Sequence, residues 1–392
     1  MTTYINKNYY SKKLKMKKEI TIITIAFILT KTLLNANGAV SPDEARILLD
    51  YGLKQDIASM INLIVSYAFV ITSYLLIREL TNSKKALITT IIVITSWIAN
   101  YWTTRISEDA LIGLLVSLSI LLAIKNNPLS GLALGISAII RPALITLLVP
   151  LVIYSALTNK KKYLLASVIP CVPLIRLTEL IPKINILYYI ASQMMNYGLA
   201  MGLLIFIGLV ALLSKPTKSN IMITMIIITY FATITFISTK ESRLIIAIIP
   251  LTALSAVIGG ELVIKQLTKQ KELASLLLII LTAVIATENI VTASNTYSQT
   301  KNYYSDLQSA SDFVRNYNKT ILSNSANIVS YYLNKKTEFL PDTYEEFNEI
   351  NNTLIIIDLK QGVPAYFNET MIKPLRAYPK ISEPRVVIYQ KA

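Results

Sequence analysis

Residues 215–271 read KPTKSNIMITMIIITYFATITFISTKESRLIIAIIPLTALSAVIGGELVIKQLTKQK. Two apolar runs, 220–238 and 243–264, stand between lysine patches, with the charged group Lys240-Glu241-Ser242-Arg243 at their junction. Each run is close to the roughly 20 apolar residues needed to cross a bilayer as a helix. A basic patch at both outer ends and a mixed-charge turn between them is the signature of two successive crossings under the positive-inside rule.

The same alternation extends outward in both directions. Further runs at about 19–35, 57–77, 86–102, 108–124, 129–141, 142–158, 163–181, 199–214 and 273–292 bring the expected crossings to eleven. Arg141-Pro142 splits two short runs, because proline disfavours helix at the residue before it; these two could form a tilted or re-entrant hairpin. Arg78, Lys84-Lys85, Lys125, Lys160-Lys161-Lys162, Lys215, Lys218, Lys265 and Lys271 fall on one side, with the basic tail that ends at Lys18. Asp43-Glu44, Glu108-Asp109 and Lys240 to Arg243 fall on the other. The fold class expected is an α-helical polytopic membrane protein with a small α/β domain at its C-terminus. Its parts are a cytoplasmic tail (1–18), a transmembrane domain (19–292) and an extracytoplasmic domain (293–392). Trp97 and Trp102 sit where an aromatic belt is expected, and 185–197 reads as an interfacial helix. In the tail, helices are predicted near 297–317, 325–333 and 343–350, and strands at 320–323, 353–359 and 385–389. Sequons at Asn318, Asn351 and Asn368 fit an external location.

Composition excludes several chemistries. With no His and one Cys, Cys171, the chain of 392 residues can build neither a Ser-His-Asp triad nor a His- or Cys-cluster zinc site. The net charge of +15 does not point to nucleic acid. Residues 293–392 hold 11 Lys/Arg against 10 Asp/Glu, so the excess lies in the short loops of the membrane part, with no continuous basic face.

The candidate chemistry gathers on the acidic side. Ser41-Pro42-Asp43-Glu44-Ala45-Arg46 follows the first run and also satisfies a helix capping box, which is its structural explanation. Glu108-Asp109 opens the fourth run. Arg141 stands in a long apolar stretch, where a charge is costly and usually paired or functional. Lys240 and Arg243 lie between the ninth and tenth runs, and Lys31 lies about a turn before the outer end of the first. An acceptor hydroxyl or amine needs a base, which Asp43 or Asp109 can supply. A departing lipid phosphate needs positive charge, which Arg141, Arg243, Lys240 or Lys31 can supply. No Gly-rich nucleotide loop is present, and a lipid-phosphate-linked donor is the form of sugar an external face can use.

These segments resemble the GT-C membrane glycosyltransferases, in particular the protein O-mannosyltransferases and the lipid A aminoarabinose transferase. Ser41 to Arg46 resembles their acidic first-loop motif, and Thr104-Arg105-Ile106-Ser107-Glu108-Asp109 their second acidic loop. Residues 131–142, a glycine-containing helix ending in Arg141-Pro142, and 238–250 resemble two later motifs, in order, over about residues 20–260. The resemblance implies an inverting transferase using a polyprenyl-phosphate sugar donor and a protein, lipid or glycan acceptor at the outer face of the plasma membrane. It implies Asp43 as base and Asp109 as a second essential carboxylate, with Asp109 or Glu44 orienting the acceptor. Arg141 is implied at the carrier phosphate, with Arg243, Lys240 and Lys31 as further cations. No metal is demanded, although a divalent ion between Asp43 and Asp109 is compatible. The chain departs from close relatives in lacking a basic-Pro-Pro-Leu segment after the first motif; residues 52–56 lead directly to the second run. A transporter would place its charges at the bilayer midplane and show repeats, neither of which is seen. A non-catalytic GT-C-like subunit remains a second reading of the same residues.

Overall fold

The structure is a computed structural model that describes residues 2–33, 42–158, 198–235, 242–300, 304–359, 366–367, 373–380 and 383–391. The expected run at 163–181, the interfacial segment 185–197, Cys171 and Lys240 lie outside the described residues. The chain divides into two compact units. One comprises Met1–Asn35, Ile61–Thr104 and Glu108–Ser294; the other comprises Ala36–Met60, Arg105–Ser107 and Asn295–Ala392.

The first unit is helical. Its elements are α1 (Thr2–Leu33), most of α3 (Gln55–Leu80), α4 (Ser83–Thr95), α5 (Trp97–Thr104), α6 (Asp109–Ile124), α7 (Leu129–Ile140) and α8 (Leu148–Leu157), followed by α9 (Leu199–Ser214), α10 (Lys218–Thr235), α11 (Ile249–Leu267) and α12 (Lys271–Thr300). Short 3-10 segments, Pro142–Leu147 and Ser242–Ile248, lead into α8 and α11. Among the described residues, four helices are long and apolar enough to cross a membrane: Gln55–Leu80, Lys218–Thr235, Arg243–Leu267 and Lys271–Thr296. The pair α4 and α5 makes a fifth if it counts as one span bent by 58°. The helices at 109–124, 129–140, 142–157 and 200–214 are apolar but shorter, so several of the eleven expected runs are helical without reaching full crossing length.

Local chemistry explains the breaks. Asn82 caps α4 by accepting the Lys85 N–H at 3.0 Å. Ser96 adopts ψ 125°, which ends α4 and bends the chain into α5. Pro142 forces Arg141 into an extended conformation (φ −137°, ψ 98°), so α7 stops at Ile140. The Arg243–Leu267 span is central, with 89% of its most apolar window buried, and Lys271–Thr296 is peripheral, with 28%. Ile22, Ile25, Leu276 and Ile280 are exposed apolar side chains of the kind a lipid-facing surface presents. Helices α9 and α11 pack closely, and the Cβ an alanine would carry at Gly208 falls 1.8 Å from the Ser255 carbonyl oxygen. At Gly259 it would fall 2.1 Å from the Leu204 oxygen.

The second unit is an α/β domain. Its sheet has the order β2-β1-β3-β5-β4, with β1 Thr320–Ser323, β2 Glu338–Phe339, β3 Thr353–Asp358, β4 Lys373–Lys380 and β5 Glu383–Lys391. The first three are parallel; β5 runs antiparallel to β3, and β4 to β5. Strand β3, TLIIID, is buried throughout, and the period of two divides its side chains between the faces. Leu354 and Ile356 join Leu307, Ala310, Val314, Ile328 and Val329 of α13 (Ser305–Val314) and α14 (Ala326–Leu333). Ile355 and Ile357 pack with Leu340, Val387, Tyr389 and Phe347 of α15 (Tyr344–Glu349). Both faces are therefore covered, as a partly parallel sheet requires. Sequence and structure agree on β1, β3, β5, α14 and α15; β2 and β4 were not expected. The core also takes in Ala45 and Leu48 of α2 (Pro42–Asp50), Ala58, and Ile106 between α5 and α6. Segments distant in sequence from the tail thus fold with it.

Candidate active site

Within the helical unit, Glu108 and Asp109 open α6 but have different surroundings. Glu108 is exposed at the N-cap, and Asp109, in the first turn, is 1% exposed. A carboxylate there benefits from the unpaired N–H groups and the positive end of the helix dipole. Its Oδ1 also accepts a hydrogen bond from Arg141 Nη2 at 2.7 Å. Arg141 reaches it from the proline-induced break after α7, with its side chain 12% exposed. A buried charge requires such a partner. The Arg141 Nη1 is buried without a hydrogen bond among the described residues, and the Tyr230 phenol borders the guanidinium. Tyr230 donates its own proton to the Leu244 carbonyl at 2.6 Å.

Lys31, near the end of α1, is held by two hydroxyls. Its ammonium donates to Thr103 Oγ1 at 2.8 Å and to Thr104 Oγ1 at 2.7 Å. Each threonine donates its own proton to a carbonyl one turn back, Ala99 and Asn100. The hydroxyl lone pairs therefore face the amine, which keeps one donor to offer. The end of α5 is fixed in turn by Asn62 and Ser66, which donate to the Thr103 carbonyl at 2.7 and 2.8 Å. The Arg243 guanidinium stacks 5.4 Å from the Trp102 ring on α5. Lys31 and Arg243 are thereby both anchored through α5, while Arg141 is anchored through α6.

Within the α/β unit, Glu44 on α2 accepts the Ile106 backbone N–H at 3.1 Å through Oε1 and Arg105 Nη1 at 3.3 Å through Oε2. Both side chains of the Glu44–Arg105 pair are nearly buried, at 12% and 10% exposed. This clamp ties the first acidic loop to the second. Asp43 stands one residue earlier in α2, and its side chain lies outside the described residues. Burial, with the negative charges of Asp56 and Glu44, pushes the Tyr331 phenol above its ordinary pKa, which keeps it neutral.

Among the sequence-chosen residues, the structure pairs Asp109 with Arg141 and sets Glu44 on Arg105. Arg105, Tyr230, Thr103 and Thr104 were not singled out. Arg105 was visible as a charge inside the second acidic motif, and Tyr230 as a polar atom in an apolar helix. The threonines gave no signal, because hydroxyls in membrane helices usually bond to their own backbone. Among the described residues no three His, Cys, Asp or Glu side chains gather to hold a metal.

The sequence profile of the Alg9-like mannosyltransferase family matches residues 183–336. No curated protein matches the chain by sequence. The crystal structure of ArnT from Cupriavidus metallidurans bound to undecaprenyl phosphate superimposes with a TM-score of 0.65 at 11% identity, covering 96% of this chain and 98% of that one. The same enzyme in its apo state gives 0.64 at 10%, covering 97% and 98%. The profile match and a fold shared along nearly the full length of both chains bear out the resemblance read from the motifs: this chain has the fold of the GT-C superfamily of membrane glycosyltransferases.

Proposed function

We propose that the protein is an inverting glycosyltransferase that moves a sugar from a polyprenyl-phosphate carrier to an acceptor at the outer membrane face. The observation that carries this reading is the Asp109–Arg141 pair. The carboxylate fixes the guanidinium through Nη2 at 2.7 Å and leaves the buried Nη1 to donate to a phosphate oxygen. A similar fold solved with undecaprenyl phosphate bound, and a profile match to mannosyltransferases, support a lipid-phosphate-linked sugar as donor.

In the proposed reaction Asp43 takes the proton of an acceptor O–H or N–H, and that atom bonds to the anomeric carbon. The bond from the anomeric carbon to the phosphate oxygen breaks on the opposite face, and its electron pair leaves with the polyprenyl phosphate. Arg141, with Lys31, Lys240 and Arg243, would stabilise the negative charge that develops there. Asp109 acts by orienting Arg141, and Glu44 by holding the two acidic loops together. The proton then passes from Asp43 to solvent, so a bond from the anomeric carbon to the acceptor replaces the anomeric phosphate ester and no redox partner is needed.

The test is release of label from radiolabelled polyprenyl-phosphate sugars by membranes carrying the protein. Asp43→Asn should slow release about 10²–10⁴-fold while insertion is unchanged. Wild-type turnover by that variant would overturn the assignment of the base. No release from any donor by the wild type would favour the non-catalytic subunit.

A further inference from the structure

A polar cavity lies in the helical unit where α4 begins, α11 ends and α12 begins. It has a volume of ≈ 200 Å³, several times the roughly 30 Å³ share of one water. Four lysines line it, Lys84, Lys265, Lys269 and Lys271, against one carboxylate, Glu261. That carboxylate is already met, by Lys85 at 2.8 Å and Lys265 at 3.8 Å. Lys84 donates to the Ser275 hydroxyl across the cavity. Neither Lys269 nor Lys271 makes an ion pair among the described residues.

A loop obeying the positive-inside rule need only be basic; its lysines can fan into solvent. Here four solvent-exposed lysines also line a cavity, together with the apolar side chains of Ile264, Ala274 and Leu278. The first turn of α12 adds backbone N–H groups without intrahelical acceptors, on a helix of 30 residues. Glu272 shares that turn but does not line the cavity. On the same helix Leu273 and Leu276 are 41% and 54% exposed, an apolar surface next to the cationic one. Lysines and apolar side chains lining one cavity, with exposed leucines beside it, match a phosphate that carries a hydrocarbon tail.

We propose that this cavity binds the phosphate group of an anionic lipid, separately from the donor carrier at the acidic loops. The site is independent of the proposed reaction, and its test reads binding, not turnover. Purified protein would be titrated with phosphatidylglycerol, phosphatidylcholine, glycerol phosphate and inorganic phosphate, following bound lipid by native mass spectrometry and the thermal midpoint. The variants are K269Q/K271Q and K84Q, with K215Q/K218Q as a charge-matched control outside the cavity.

Phosphatidylglycerol should be retained over phosphatidylcholine and raise the midpoint. K269Q/K271Q should weaken its binding about tenfold, K84Q less, and the control not at all. An equal shift with inorganic phosphate or glycerol phosphate would support the phosphate site and identify a free phosphate as its occupant. Equal retention of both lipids, or equal loss in the control, would overturn the proposal and leave a general surface-charge effect.

Discussion

Arg141 is in position because three local facts coincide: a proline that ends α7, an extended residue before it, and a carboxylate at the start of α6. Removing one partner of a buried pair leaves an uncompensated charge, at a cost of about 3–5 kcal/mol. Asp109→Asn and Arg141→Gln should each lower stability and donor turnover. The double variant should be less damaging than the sum, with a coupling of roughly 0.5–3 kcal/mol measured by a thermal double-mutant cycle. Strict additivity would show that the 2.7 Å contact carries no coupling. Glu44 gives a second residue-scale prediction. A glutamine at that position keeps an acceptor for the Ile106 N–H, whereas alanine removes both contacts. Glu44→Gln should retain most activity and Glu44→Ala should lose it, read as kcat and KM for label release; a base would fail in both. The sequence disclosed which charges were costly, since Asp109 and Arg141 stand beside long apolar runs. It did not disclose their pairing, which brings together residues 32 apart through a backbone break.

The helices differ in how plainly the sequence announces them. Long runs such as 57–77, within the helix Gln55–Leu80, were legible because about 20 mostly apolar residues suffice to cross a bilayer as a helix. The break before Pro142 was legible, because proline acts through sterics confined to adjacent residues. The 58° bend at Ser96 was not, since serine has no comparable local rule. The α9–α11 contact was also hidden, because a glycine shows its purpose only when a backbone arrives beside it. Gly208→Ala should therefore cost stability, and by more than Gly260→Ala. At Gly208 the obstacle is the Ser255 backbone at 1.8 Å; at Gly260 it is the tip of Leu281 at 3.1 Å, which can rotate away. Overpacking of this kind costs about 1–3 kcal/mol where neighbours can adjust. Thermal midpoints of the two variants in detergent give the order, and the reverse order would mean that α9 and α11 do not pack as closely as described.

At the scale of the whole molecule, the tail domain is not an appendage in the chain's folding logic. Its α/β character was legible because predicted helices alternate along the tail with short strands, among them the apolar run Thr353–Asp358. Its membership was not, because no local pattern assigns Ala45, Leu48 or Ile106 to a core formed some 200 to 300 residues later. Those three are buried with Leu307, Ala310, Ile328 and Val329, so α2 and the loop bearing Arg105 are held by the same hydrophobic cluster as the sheet. Glu44–Arg105 then sets their polar register. A chain ending at residue 294 would retain its apolar helices, and membrane insertion depends on those. It would lose the side chains that cover α2, and we expect it to insert normally, become protease-sensitive within 42–60 and lose label release. Because truncation removes much at once, the sharper variant is Leu48→Asp in the full chain. Leu48 is 2% exposed, and an unpaired carboxylate there has no water and no partner. It should reproduce both the protease sensitivity and the loss of turnover, although Leu48 takes no part in the proposed chemistry. Turnover that survives in either chain would mean that the acidic segment holds its shape without the tail, and that the domain serves something other than its support.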